Sequence, residues 1–242
     1  EVETLAEVLR DNGYRTFGAT ANPHLNPSFN FHQGFDLYLD SINVLDWMPA
    51  TLGQVPNAHP PQPSARHLFE NVLGALEREG PTDRSAPHNL QLVVMEVHET
   101  WGKNDLVRAE YKGLYPDVSY TKERRYLQAV RQISADIDWF VRELENRLKW
   151  DDTLVVLVSD HGEGLASHPD VPGSEVHGFL LYESQVMVPW IVYSTAGSLP
   201  AGGVVDEPVQ LLDLMPTVLD LAGAPIPDTV EGRSLLPLLR GE

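Results

Sequence analysis

Asp160 and His161 stand side by side after the apolar run Leu154-Val155-Val156-Leu157-Val158 and Ser159, and Gly162-Glu163-Gly164 follows them. A carboxylate next to an imidazole is a donor pair that a divalent cation accepts. The run before them is apolar and mostly β-branched, which suits a parallel strand covered on both faces. In open α/β sheets, ligands gather past the carboxyl ends of such strands. Gly162 and Gly164 free the backbone to bend close to a ligand. Asp, His and Gly also make ordinary turns. The motif alone therefore leaves both a metal pair and a plain strand-end turn open.

The elements around this motif alternate. Thr4 to Asn12 carries Leu5, Val8 and Leu9 at helical spacing and ends on Asn12-Gly13, a C-cap. Tyr14 to Ala19 follows as a strand. Asn22 to Pro63 is rich in Pro, Asn, Gly and His and reads as a long loop layer with short elements. Ser64 to Glu79 is a helix with Leu68, Val72, Leu73 and Leu76 on one face, and Asn89 to Val97 is a strand. Thr121 to Trp150 is the longest helix; Tyr126, Val130, Ile133, Ile137, Val141, Leu144 and Leu148 recur as its core stripe. Val186 to Tyr193 reads as a strand with Pro189 near its start. Pro208 to Ala222, closed by Gly223, and Ser234 to Leu239 read as helices. This alternation predicts an α/β fold with a mainly parallel central sheet and helices on both faces.

Composition sets limits. The 242 residues are 42% hydrophobic, enough for one full core. No apolar run is long enough to span a bilayer. There is no cysteine, so no disulfide, thiolate ligand or cysteine nucleophile lies in this chain. Acidic residues outnumber basic ones 35 to 17, a net charge of −18, which argues against a nucleic-acid partner. The acids are spread along the chain, and lysine is confined to Lys103, Lys112, Lys122 and Lys149. That pattern fits either a halophilic source, where salt screens self-repulsion, or an acidic, arginine-preferring mesophile. Residues 1–6 lack the charge and apolar run of a signal peptide, so the cytoplasm is favoured.

Four segments in order resemble the sulfatases of the alkaline-phosphatase superfamily. They are Thr4 to Thr16, then Asp152 to Glu163, then His177-Gly178-Phe179-Leu180-Leu181-Tyr182-Glu183 with Val188-Pro189, and finally Leu211 to Gly223 with Glu231-Gly232-Arg233-Ser234-Leu235. The resemblance implies that Asp160 and His161 ligate one divalent metal ion, with calcium the family's usual metal and manganese or zinc favoured by the imidazole. It places His177 near the Lys or His that contacts the sulfuryl group, where it would assist the leaving oxygen. Asn22-Pro23-His24-Leu25 falls where many relatives carry Lys-Trp-His-Leu. His24 then keeps a catalytic donor, and Asn22 replaces a lysine beside the substrate. Where relatives place Asp-Pro-His, this chain reads His98-Glu99-Thr100-Trp101; Trp101 aligns with the usual His, and His98 is a substitute substrate contact. Glu163 reads as an acceptor behind the ligands or a solvated residue, and His168 as solvent-exposed. Tyr182 and Glu183 would anchor the loop presenting His177.

Relatives also begin with a strand of metal-binding acids and a Cys or Ser motif that matures to formylglycine. Neither is present. Pro61-Gln62-Pro63-Ser64-Ala65-Arg66 imitates that motif without its leading residue and follows the first helix, so it reads as a loop with Ser64 as N-cap. The expectation is a single sulfatase-like catalytic domain over 1–242, incomplete at its N-terminus, lacking any C-terminal subdomain and inactive alone. The implied parent activity is hydrolysis of small-molecule or glycan sulfate esters. The alternatives are a phosphodiesterase or phosphonate-ester hydrolase of the same superfamily, or a non-catalytic relative. Nothing in the sequence selects the ester or the oligomeric state.

Overall fold

The computed structural model describes residues 3–40, 63–78, 86–98, 106–150, 152–165, 167–178, 180–200 and 202–241. Helix α1 (Leu5–Asp11) starts at a capping box. Thr4 Oγ1 accepts from Glu7 N at 3.1 Å, and the Glu7 carboxylate accepts from Thr4 N at 2.9 Å. Asn12 ends the helix, and Gly13 at φ +88° turns the chain into β1 (Arg15–Thr20).

Strand β1 is the middle of a three-stranded sheet, between β2 (Leu37–Leu39) and β3 (His88–Val93), and both pairings are parallel. Phe17 lies level with Leu37 on one side and Leu90 on the other. Strand β2 falls inside the segment expected to be loop; residues 41–62 of that segment lie outside the described residues. Helix α2 (Ala65–Arg78) starts where Ser64 Oγ accepts from His67 N at 3.2 Å, the expected N-cap. Helix α3 (Thr121–Glu143) runs on through a π turn at Leu144–Leu148. Phe17, Ala19, Leu68, Leu73, Leu76, Phe140 and Leu144 form one buried cluster joining this sheet to α2 and α3. Phe69 and Phe140 stack within it at 4.5 Å.

Part of the stripe expected on α3 is in the core: Leu144 is buried, and Ile133, Ile137 and Leu148 pack against the same cluster, while Val130 is exposed. Beside Ala129 and Phe140 the helix also buries three polar side chains, Gln128, Gln132 and Asp136. These three polar side chains answer backbone and charged groups of residues 106–114 and α2. Gln132 accepts from Arg108 N at 2.7 Å and donates to Leu106 O at 3.0 Å. Gln128 donates to Lys112 O and Leu114 O at 2.8 and 2.9 Å. An apolar count at helical spacing cannot see a face buried by satisfied polar groups.

Strand β4 (Leu154–Val158) pairs antiparallel with β5 (Trp190–Ser194), Val156 level with Val192. This corrects the expectation of a parallel strand covered on both faces: β4 is half-buried, and Leu157 is 36% exposed. An apolar run reads alike in either pairing. Strand β5 also begins later than expected, because Glu183–Val186 forms a helical turn, α4, and Pro189 has no N–H for a ladder. A 3₁₀ turn at Leu211–Asp213 leads into α5 (Leu214–Leu221), shorter than the helix expected from Pro208, and Gly223 at φ +67° follows it. Leu219 of α5 packs on Val8 and Leu9 of α1 in a second buried cluster. Helix α6 (Leu236–Arg240) ends the fold, an α/β architecture with mainly parallel strands.

Candidate active site

Asp160 and His161 emerge two and three residues beyond the carboxyl end of β4, where the strand reading put them. His161 Nδ1 lies 2.8 Å from Gly162 O. A carbonyl can only accept, so Nδ1 carries the proton and Nε2 is left with its lone pair. That Nε2 is 3.8 Å from Asp160 Oδ1, which also accepts from His161 N at 3.0 Å. Metal–ligand bonds run about 2.0–2.5 Å, so both atoms can sit in the shell of one ion. The donor chemistry therefore fits a divalent cation as a pair. Among the described residues no group of three or more His, Cys, Asp or Glu side chains is arranged to hold a metal ion.

The pair is not isolated. The His161 ring stacks on His177 at 4.1 Å between centroids, and His98 lies against the other histidine partner, 5.3 Å from His177. Three histidines from separate stretches of chain thus meet in a row. His98 arrives from the turn beyond the carboxyl end of β3, where its N–H donates to Met95 O at 3.1 Å. His177 is oriented by Glu163: its Nδ1 is 3.0 Å from Glu163 Oε2. The Glu163 carboxyl is buried, with Oε1 accepting from Gly164 N at 3.1 Å. An ionised carboxylate is acceptor only, so the His177 proton sits on Nδ1 and Nε2 faces away from Glu163. Glu163 is thus buried rather than solvated, and its side-chain partner is His177.

The two glycines serve a different purpose from the one their sequence suggested. A Cβ on Gly162 would strike Ser184 O, and one on Gly164 would strike Ser174 O. The close approach they permit is to the protein's own backbone, and Gly162 N donates to Gln185 O at 2.8 Å. Gln185 also donates to Val176 O at 2.9 Å, beside His177. Gln185, rather than Glu183, thus ties α4 to the His177 loop. His168 is half-buried and stacks on Tyr182 at 3.6 Å between centroids, not solvent-exposed as expected.

Asn22 and His24 lie just past the carboxyl end of β1. Asn22 Oδ1 accepts from His24 N at 2.9 Å, a local Asx turn just past β1, and His24 is exposed. Trp101 lies outside the described residues.

A buried polar centre went unread in the sequence. Asp136 is fully buried and receives Arg66 at 2.9 Å and Arg108 at 2.7 Å, with Arg66 also lying 3.8 Å over the Trp139 ring. Close to it, Glu96 is 2% exposed and accepts from Ala65 N at the start of α2. Burial is the main cause that pushes its carboxyl up to about 7. Glu96 lies two residues before His98, so this centre braces the turn that delivers His98 to the site. The spacing of Gln128, Gln132 and Asp136 at i, i+4 and i+8 was the available signal.

The fold is similar to that of solved proteins of the alkaline-phosphatase superfamily. A phosphonate monoester hydrolase of Silicibacter pomeroyi superposes over 100% of this chain and 62% of its own, with a TM-score of 0.67 and 19% identity. A protein solved with its substrate D-glucosamine-2-N,6-O-disulfate superposes over 100% of this chain and 65% of its own, with a TM-score of 0.69 and 18% identity. The chain belongs to the sulfatase family, whose profile matches residues 1–224. An extracellular sulfatase of Drosophila melanogaster is 30% identical over 187 residues, which cover 76% of this chain and 15% of that protein. The chain thus spans only a minor part of that relative's length.

Proposed function

We propose that this chain belongs to a metal-dependent sulfuric-ester hydrolase and carries the leaving-group side of its site. The observation that carries the reading is the row of His98, His177 and His161 ending at Asp160, in a chain of the sulfatase family. Asp160 and His161 would be two ligands of a divalent ion, which supplies Lewis acidity toward the ester oxygens and a fixed template. Calcium follows from the family resemblance, while the imidazole donor also suits manganese or zinc.

Formylglycine is the proposed nucleophile; no cysteine of this chain can mature into it. The residues present act on the departing alcohol. Glu163 holds the proton of His177 on Nδ1, which leaves Nε2 to hold or deliver a proton at the ester's bridging oxygen. His98, against the same ring, supports binding of the charged group. Small-molecule or glycan sulfate esters are the proposed substrates, since the extracellular sulfatase and the disulfated-glucosamine complex are relatives of that kind.

One observation favours a second reading: the phosphonate monoester hydrolase matches this fold as closely. Parallel assays of the full-length protein on an aryl sulfate and an aryl phosphodiester separate the two. Preferred turnover of the sulfate is expected; a large preference for the phosphodiester overturns the sulfatase reading. Calorimetric titration of Ca²⁺, Mn²⁺ and Zn²⁺ into this chain and an Asp160→Ala/His161→Ala variant tests the ligand pair, and identical binding removes it.

A further inference from the structure

Helix α3 begins beside an open cavity of about 440 Å³, whose lining includes Lys112, Leu114, Thr121, Arg124, Arg125 and Gln128. We propose that this cavity is a second oxyanion site, separate from the candidate active site, that takes a sulfate group, free or carried on a saccharide. The choice of sulfate among oxyanions rests on the sulfuric-ester reading; the existence of the site does not.

Charge is the first argument. The whole chain carries −18, yet residues 112–128 hold Lys112, Lys122, Arg124 and Arg125 against only Asp117 and Glu123. Arg10, Arg15, Arg66, Arg108, Arg142 and Arg147 pair with carboxylates, while Arg78, Arg131, Arg233 and Arg240 stand unpaired among the described residues but do not line this cavity. Among the described residues, neither Arg124 nor Arg125 has a carboxylate partner, and both line the same cavity. Guanidinium groups so placed suit the forked geometry of an oxyanion.

The second argument is that the cavity is built. Gln128, at its wall, holds the Lys112–Leu114 loop to α3 through two hydrogen bonds to loop carbonyls, at 2.8 and 2.9 Å. Arg124 Nη1 donates to Val118 O at 3.4 Å, which keeps that guanidinium over the loop. Tyr120 provides no side-chain cap to the helix, and the aligned peptides of its 23 residues add positive potential at this end.

Size and position complete the case. The open space of about 440 Å³ leaves room for a carrier beside the oxyanion. No residue lining the cavity belongs to the histidine row; Thr121, Arg124, Arg125 and Gln128 share one face of α3 by their i, i+3, i+4 and i+7 spacing.

Sulfate titrated into this chain at constant ionic strength, against chloride, tests the site by amide chemical-shift changes. The expected result is saturable shifts at residues 112–128 that weaken about tenfold in Arg124→Ala/Arg125→Ala and persist in Asp160→Ala/His161→Ala. A sulfated disaccharide and its unsulfated form make the second arm. Tighter binding of the sulfated sugar than of the free ion names the saccharide as ligand, and equal binding names the ion. Absence of saturable shifts there, or binding untouched by the arginine replacements, overturns the proposal. Because no turnover is read, this result is independent of whether the parent hydrolyses sulfate esters.

Discussion

The β1–β3 half of the molecule and the β4–β5 half are held together by different means. In the first, parallel strands share a sealed apolar cluster with α2 and α3, where Leu68 and Leu73 are inaccessible to solvent. In the second, Leu157, Ile191 and Tyr193 of the antiparallel pair are all exposed, and the loop bearing Asp160, His161 and His177 is shaped by polar contacts. Backbone hydrogen bonds, close glycine–carbonyl approaches and a buried carboxylate do there what packing does in the first half. The contrast separates a scaffold that resists deformation from a loop whose precision depends on a few named polar pairs.

The difference can be tested by breaking each half. The largest loss is expected for Asp136→Ala, which strips two arginines of their buried acceptor and should lower stability by about 3–5 kcal/mol in urea unfolding. Leu73→Ala empties a sealed position and should remove about 2–5 kcal/mol by the same measurement. If either variant unfolds like the parent chain, the scaffold description fails.

Glu96 makes a pH-dependent contribution to that scaffold. Its folded carboxyl titrates at about 7 against an ordinary 4.5, so the folded state binds the extra proton between those values. Stability from this group is therefore complete below pH 4.5 and declines as pH rises through 7. Glu96→Gln should match the parent near about pH 4 and exceed it by up to ~3 kcal/mol near about pH 8, by denaturant melts across pH. A constant offset at all pH would show that Glu96 stays ionised. The smallest effect is expected in the second half: Ile191→Ala, at a residue 53% exposed, should shift stability by about 0.5 kcal/mol or less. A loss of core size there would mean that β5 is packed as tightly as α2.

The same division governs what could be read from the residues alone. Elements of the first half were legible because capping and periodicity are local: Leu5, Val8 and Leu9 with the Asn12-Gly13 stop mark α1, and Ser64 opens α2. The Asp160-His161 pair was legible as well, since it follows an apolar strand by chain adjacency. Pairing direction was not, because Leu154 to Val158 fits a parallel or an antiparallel neighbour equally. The meeting of His98 with His177, and of Glu163 with the same ring, depends on loops that bring distant residues together. Asn22 and His24 were expected at the site from the family resemblance, and the Asx turn they form is local and legible in the Asn-Pro-His order. Asp136 went unread because an apolar stripe such as Ile133, Ile137 and Leu144 gives no sign that a polar face beside it is buried too.

The glutamines of α3 carry a consequence for how the protein breathes. Leu106 O, Arg108 N, Lys112 O and Leu114 O all take their partners from Gln132 and Gln128, so this stretch of loop has borrowed its hydrogen bonds from a helix rather than from a neighbouring strand. Releasing one amide leaves the next carbonyls dry, so the loop should open as one cooperative unit. The exchange rate of the Arg108 amide with solvent deuterium then becomes a clock for that opening. Gln132→Leu should quicken it while leaving the amides at the centre of β1 as slow as before.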